Sequence, residues 1–214
     1  MTVEGPNGPQ EYFVPNTSPI NVYNALSAVA LLAEFGLSKE RIAQCMDKLT
    51  IVESRFNQTE AGGRRLVLHL AKGQNPIACS QACANVRMAP GKKTVLLLLD
   101  DAHDAAHSVE NTAWFYDTDF ELLNDPDIAQ VAVAGPRHWD LTVRLLMAGI
   151  PQEKLFHSQD PQEAAAALDV TSPESVFVLY DLYSVDLAHQ VKEQLVKRLE
   201  QAPQLGKEEQ SHAD

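Results

Sequence analysis

Along the chain, apolar positions recur first with helical spacing and then in short uninterrupted runs. Val22, Leu26, Val29, Ala30 and Ala33 mark a helix that Ser18-Pro19 opens and Gly36 closes. Ser38 caps a second helix running from Lys39 to Leu49. From there the period changes. Arg65–Leu70, Thr94–Leu99, Gln130–Ala134, Lys154–His157 and Ser175–Tyr180 read as strands. Pro76–Val86, Arg137–Ala148, Pro161–Leu168 and Ser184–Glu200 read as the helices between and after them, with Arg137–Ala148 amphipathic and closed by Gly149. The run TVLLLL, bounded by Lys93 and Asp100, is what a strand buried on both faces requires. Alternation of this kind predicts an α/β fold, a Rossmann-like, mostly parallel sheet with helices on both faces, preceded by a helical segment. The expected divisions are an irregular lead-in over 1–17 with one short strand at Tyr12–Val14, a helical segment over 18–50, an α/β domain over 51–203 and a disordered polar tail over 204–214.

One segment breaks the pattern. Trp114–Glu121, WFYDTDFE, mixes Trp114, Phe115, Tyr116 and Phe120 with Asp117, Asp119 and Glu121. Unpaired carboxylates are too costly to bury in a strand, and a solvated loop has no use for four aromatics. The mixture predicts an aromatic anchor that presents acids at an edge or interface.

Composition narrows the function classes. The net charge of −12, from 29 Asp and Glu against 17 Lys and Arg, argues against nucleic acid and anionic membrane surfaces as partners. No apolar run approaches the roughly 20 residues that span a bilayer. The first ten residues, MTVEGPNGPQ, do not have the form of a secretory signal. Cys45, Cys79 and Cys83, an odd and sparse set, fit a reducing cytoplasm, and Cys79 and Cys83 share a helix face as two small buried residues.

The chemistry is notable first for what is missing. The sequence has no Gly-x4-Gly-Lys-Ser/Thr phosphate loop, no Gly-x-Gly-x-x-Gly and no Gly-x-Ser-x-Gly elbow. Asp100, Asp101, His103, Asp104 and His107 follow a buried strand, where α/β proteins bind ligands, and are either a solvated acidic loop or a divalent-metal site. Gly135-Pro136-Arg137 opens a helix directly after a strand, either as a tight turn or as an anion site. LAKGQNP (Leu70–Pro76) is a similar turn carrying Lys72 and Asn75.

Six segments, in order, resemble the MurT branch of the Mur-type ligases. INVYNALSAVALLAEFGL (Ile20–Leu37) resembles the Asn-x-Tyr-Asn-Ala-Leu-x-Ala helix at the end of the family's ATP-binding central domain. ESRF (Glu53–Phe56) resembles the Gly-Arg-x-Glu turn that opens its C-terminal domain. LAKGQNP is similar to Leu-Ala-Lys-Asn-Pro, and WFYDTDFE to Ser-Trp-x-Trp-Asp-x-Asp-Phe-Glu. Val131–Pro151 and Val178–Leu195 resemble the later strand–helix units. The resemblance implies a cytoplasmic lipid II isoglutaminyl synthase in peptidoglycan synthesis. Such a ligase uses ATP and Mg²⁺ to activate the D-glutamate α-carboxylate of lipid II, and a GatD-type class I glutaminase subunit delivers ammonia. The C-terminal domain docks that glutaminase and lends an Asp to its Cys–His pair. Carried over, Asp117 is the lent catalytic acid, Asn21 faces the adenine, Arg55 lies near the terminal phosphate, and Lys72 and Asn75 form the ligand-side turn.

Several positions depart from the family. The phosphate-loop half is missing, so an ATP-binding half is an implied partner and no nucleotide is expected to bind this chain tightly alone. The Glu of Gly-Arg-x-Glu is replaced by Asn57, Gly73-Gln74 is inserted into Leu-Ala-Lys-Asn-Pro, and Asn111 stands where the family has Asp. Asn cannot supply the charge that favours an imidazolium. The alternative is therefore a non-catalytic, Mur-ligase-like interaction module that binds a glutaminase-like partner.

Overall fold

The computed structural model describes residues 1–5, 8–15, 19–49, 56–99 and 112–203. The chain divides into two compact units, Met1–Glu53 and Ser54–Asp214.

The first unit opens with a hairpin, which corrects the expected irregular lead-in. Strands β1 (Thr2–Gly5) and β2 (Gly8–Glu11) pair antiparallel with Gly5 opposite Gly8. Tyr12–Val14 is not a strand. Of the Gly and Pro residues that suggested irregularity, Gly5 and Pro9 lie in the two strands and Gly8 takes φ 86° at the start of β2. Helix α1 (Pro19–Glu34) ends before Gly36. Helix α2 (Lys39–Met46) starts at Ser38, whose hydroxyl accepts from Arg41 N at 3.3 Å. Tyr12, Val29, Ile42 and Met46 form a small core.

The second unit is built on six strands: β3 (Phe56–Ala61), β4 (Arg64–Leu70), β5 (Lys93–Leu98), β6 (Ile128–Ala134), β7 (Leu155–Ser158) and β8 (Ser175–Tyr180). Their order is β3-β4-β8-β5-β6-β7, parallel throughout except for β3 against β4. This is the α/β architecture that the apolar runs predict. The two central strands β5 and β8 are buried at every position, so side chains of both parities need cover. Val67, Val95, Val133 and Phe177 face one layer, made of α3 (Pro76–Met88), the short helix α4 (Trp114–Asp117) and α5 (His138–Met147). Leu66, Leu96, Ala132 and Val178 face the other, made of α6 (Pro161–Ala167) and α7 (Val185–Gln201).

Strand β3 has no counterpart in the apolar pattern. FNQTEA is a polar edge strand, held by a two-residue turn at Gly62 (φ 57°) and Gly63 (φ 74°). A methyl group at Gly62 would lie 1.9 Å from the Leu199 carbonyl oxygen, so the turn packs directly on the end of α7. Beside it, Arg64 is buried and neutralised by carbonyls. Its Nε donates to Pro173 O (3.2 Å), Nη1 to Gly62 O (3.2 Å), and Nη2 to Thr171 O (2.6 Å) and Pro203 O (2.7 Å). Lys93, equally buried, donates to Ala89 O at 2.7 Å beyond the end of α3.

His69 lies on β4 opposite Phe56 and Leu179, and burial pushes its imidazole down from 6.5 to about 4. The folded state thus resists a proton that the unfolded chain accepts. Stability is full above pH 6.5 and falls as the pH drops toward 4. At about 1.4 kcal/mol per pH unit, the loss approaches roughly 3 kcal/mol. Chemical denaturation at pH 7 and pH 4.5 is expected to show a smaller pH-dependent loss in His69→Gln than in the wild type. Equal losses would assign the acid sensitivity to other groups.

Candidate functional site

The carboxyl ends of the parallel strands hold one group of candidate residues. After β4 the chain turns sharply through Lys72 (φ 52°), Gly73 and Gln74 (φ 62°). Two non-glycine residues in the left-handed region within three positions mark a strained turn, which persists only where its surroundings enforce it. Here those surroundings are close. A Cβ on Gly73 would lie 2.3 Å from Asp181 Oδ2 and 3.1 Å from Leu99 O. The family-like turn with its inserted Gly73-Gln74 is thus fitted against the end of β8. Lys72 is half-buried there. Asn75 caps α3, its Oδ1 accepting from Ala78 N at 3.0 Å, and Pro76 follows in the first turn. That oxygen is engaged within the fold.

Asp181 was not singled out by the sequence reading. It is buried directly after β8, and its carboxylate accepts from Leu182 N. The available signal was an acid immediately following a fully apolar strand. On the α6–α7 side, a cleft of about 200 Å³ opens at the ends of β5 and β6, lined by Leu98, Ala134, Gly135, Pro136 and Pro161. Arg137 pairs with Asp140 at 3.4 Å.

The second group is the WFYDTDFE segment, which lies between α3 and α5 on the opposite layer. Trp114, Phe115 and Phe120 are buried, Trp114 and Phe115 edge to face with centroids 4.5 Å apart. Tyr116, Asp117 and Asp119 are exposed. From the α5 side, buried Arg144 donates to Phe115 O (2.9 Å), Thr118 O (2.8 Å) and Glu121 Oε2 (2.9 Å), with its guanidinium 5.6 Å from the Phe120 ring centre. From the α3 side, Ser80 Oγ accepts from Asp119 N at 2.9 Å. Thr118 closes the turn by donating to Trp114 O at 3.0 Å.

The three acids therefore part ways. Glu121 is tied to Arg144, which is the main reason its carboxyl sits below the usual range. Asp117 and Asp119 face outward along a groove of about 340 Å³ with Ile77, Ser80 and Gln81. An acceptor-only carboxylate on a rigid, open edge can orient an imidazole supplied by another chain.

Near the far end of α5's first turn, His138 Nδ1 and His157 Nδ1 are 3.1 Å apart, and the Trp139 ring lies 4.0 Å from that of His157. Burial and the neighbouring His157 hold the His138 imidazole below its ordinary value. Among the described residues no group of three or more His, Cys, Asp or Glu is placed to hold a metal ion. Cys79 and Cys83 are buried, and the Cys83 thiol is pushed up by its hydrogen bond with Cys79 and by burial, the opposite of an activated nucleophile. No helix is long and apolar enough to cross a membrane among the described residues.

Asn21 lies on α1 in the first unit, half-buried. Arg55, Asn111 and the acidic stretch carrying Asp100, Asp101, His103, Asp104 and His107 lie outside the described residues. At the strand ends the described cations are Lys72 and the Asp140-paired Arg137.

Comparison with known proteins is consistent with this picture. The folds of MurF from Acinetobacter baumannii (TM-score 0.63, 17% identity, 92% of this chain and 42% of that one) and a murein peptide ligase from Psychrobacter arcticus (TM-score 0.63, 12% identity, 94% and 41%) match. In sequence, subunit MurT of the glutamine-hydrolyzing lipid II isoglutaminyl synthase from Streptococcus pneumoniae is 29% identical over 170 residues, 79% of this chain and 37% of that protein. Subunit MurT from Staphylococcus aureus is 29% identical over 141 residues, 66% of this chain and 31% of that protein. The chain thus spans about a third of the length of these curated relatives. Residues 72–185, which include Lys72, Asp117, Arg144 and Asp181, match the MurT ligase C-terminal family, and the chain belongs to it.

Proposed function

We propose that this chain is the glutaminase-facing part of a glutamine-dependent amidating ligase acting in the cytoplasm on the D-glutamate α-carboxylate of lipid II. Its partners in this reading are a GatD-type glutaminase and a Mur-like ATP-binding half. The observation that carries the proposal is the outward edge bearing Asp117, fixed from behind by the buried Arg144.

Glutamine hydrolysis at a Cys–His pair needs the imidazole held in one tautomer and its cation stabilised after it takes the thiol proton. Asp117, an exposed acceptor on a pinned segment, is suited to both tasks across a subunit boundary. ATP with Mg²⁺ supplies activation of the lipid II carboxylate for attack by ammonia. This chain's contribution on that side is Lys72, a cation at the end of β4 on the strained turn, which favours negative charge developing nearby.

Adding the chain to a GatD-type glutaminase is expected to raise glutamine hydrolysis, and Asp117→Asn to lower that stimulated rate about 10²- to 10⁴-fold, as loss of a triad acid does. Asp119→Asn is expected to keep it within about threefold, since Asp119 is the neighbouring acid and not the proposed donor. Unchanged stimulation in Asp117→Asn would remove Asp117 from the triad. The second reading, a docking module without catalytic support, is favoured by Asn111 at the family's Asp position. It predicts binding without stimulation in the wild type.

A further inference from the structure

Helix α5 is apolar on both sides. Leu141 and Leu145 point into the core, while Trp139 (62% exposed), Val143, Leu146 and Met147 (65% exposed) form a stripe on the outer face. Their spacing of four, three and one residues places them along one side of the helix over about 12 Å. A contiguous apolar stripe on an exposed helix face marks an interaction surface more often than chance exposure does, and the described residues leave this side open.

We propose that this stripe is the apolar centre of the docking surface for the glutaminase subunit, with Trp139 as its anchor. This rests on the glutaminase-partner reading above and names where the partner binds. Two features support that occupant. First, the helix that carries the stripe is tied to the Asp117 segment: buried Arg144 is bonded to the backbone of Phe115 and Thr118, and exposed Tyr116 adjoins Asp117. Second, its surroundings are one-sided in charge. Across residues 114–147, Glu121 pairs with Arg144, Asp140 with Arg137 and Asp125 with Arg87, while Asp117 and Asp119 stand as exposed acids on the edge. A second copy would bring acid against acid, so the complementary surface is an apolar pocket ringed by Lys and Arg on a different protein. Trp139 is already ordered against His157, which His138 holds in turn, so little freedom is lost when it inserts.

The test is calorimetric titration of the chain with a purified GatD-type glutaminase from the same organism. Trp139→Lys and Met147→Lys are expected to weaken binding by about 50-fold or more, as loss of a central aromatic anchor does. Both positions are exposed, so circular dichroism and Tm should match the wild type. Glu193→Gln, exposed on α7 in the opposite layer, should bind within about threefold of wild type, which separates loss of the stripe from a general change of charge. If the wild type binds and both lysine variants bind as well as it does, the stripe assignment is wrong and the partner reading stands. If the wild type binds no glutaminase, both are wrong. Self-association of the wild type in sedimentation, abolished by Trp139→Lys, would put a second copy on the stripe and overturn the proposal.

Discussion

An Arg144→Met variant is expected to lose about 3–5 kcal/mol of folding stability, the range for stripping a buried charged group of its partners. Methionine fills much of the volume, so the loss comes from hydrogen bonding. Phe115 O and Thr118 O are buried acceptors, and both would be left without Arg144. Glu121, mostly exposed, would simply return to water. The variant should also loosen Trp114–Glu121 itself, which stays in place because α5 grips it from one side and Ser80 from the other. Glutaminase stimulation should therefore fall even though Asp117 is intact. Denaturant titration, near-ultraviolet circular dichroism of Trp114 and the stimulated rate together check this. Arg144→Lys is not expected to rescue, because one ammonium cannot reproduce the fork that reaches three oxygens. A variant with native stability and an unchanged aromatic spectrum would show that the segment is held by its own packing.

The second large effect lies at the opposite end of the sheet. Arg64→Met is expected to cost about 3–5 kcal/mol, because four carbonyls from distant stretches share that guanidinium. It joins the Gly62 turn, the β7–β8 connection at Thr171 and Pro173, and the chain after α7 at Pro203. None of these lies near Asp117 or Lys72 in the sheet. Glutaminase binding by the folded fraction should be unaffected, while the urea midpoint drops. A drop of less than about 1 kcal/mol would mean that water replaces the guanidinium at those carbonyls.

The contrast between these two arginines shows which parts of the molecule the sequence discloses. Parallel strands such as β5 and β8 were legible because burial on both faces demands an apolar residue at every position. Strand β3 was not, because its order arises from a glycine turn docking on α7 and its own residues are polar. The WFYDTDFE segment announced its anchor and its exposed acids through composition alone. What it could not announce was the device holding it. Arg144 sits on α5 between Leu141 and Leu145, on the side that an amphipathic reading assigns to the core. The outer side, read as polar, carries Trp139, Val143, Leu146 and Met147. Asn75 lay in a segment legible as a strand-to-helix turn, and its position before a Pro made its oxygen a helix cap.

Arg64, Lys93, Arg144, Lys154 and Arg198 all aim donors at backbone carbonyls. Three of them, Arg64, Lys93 and Arg144, are buried and take no part in the surface of a chain whose Asp and Glu outnumber its Lys and Arg 29 to 17. The molecule is therefore wrapped in a more acidic skin than its composition suggests. Such a skin makes like molecules repel before any apolar stripe can touch its twin, and it draws in a basic partner from a distance. This colloidal protection is only as long as the Debye length, about 10 Å at 0.1 M salt and about 3 Å at 1 M. The internal use of cations as carbonyl clamps thus sets the ionic strength up to which the exposed face of α5 remains reserved for a stranger.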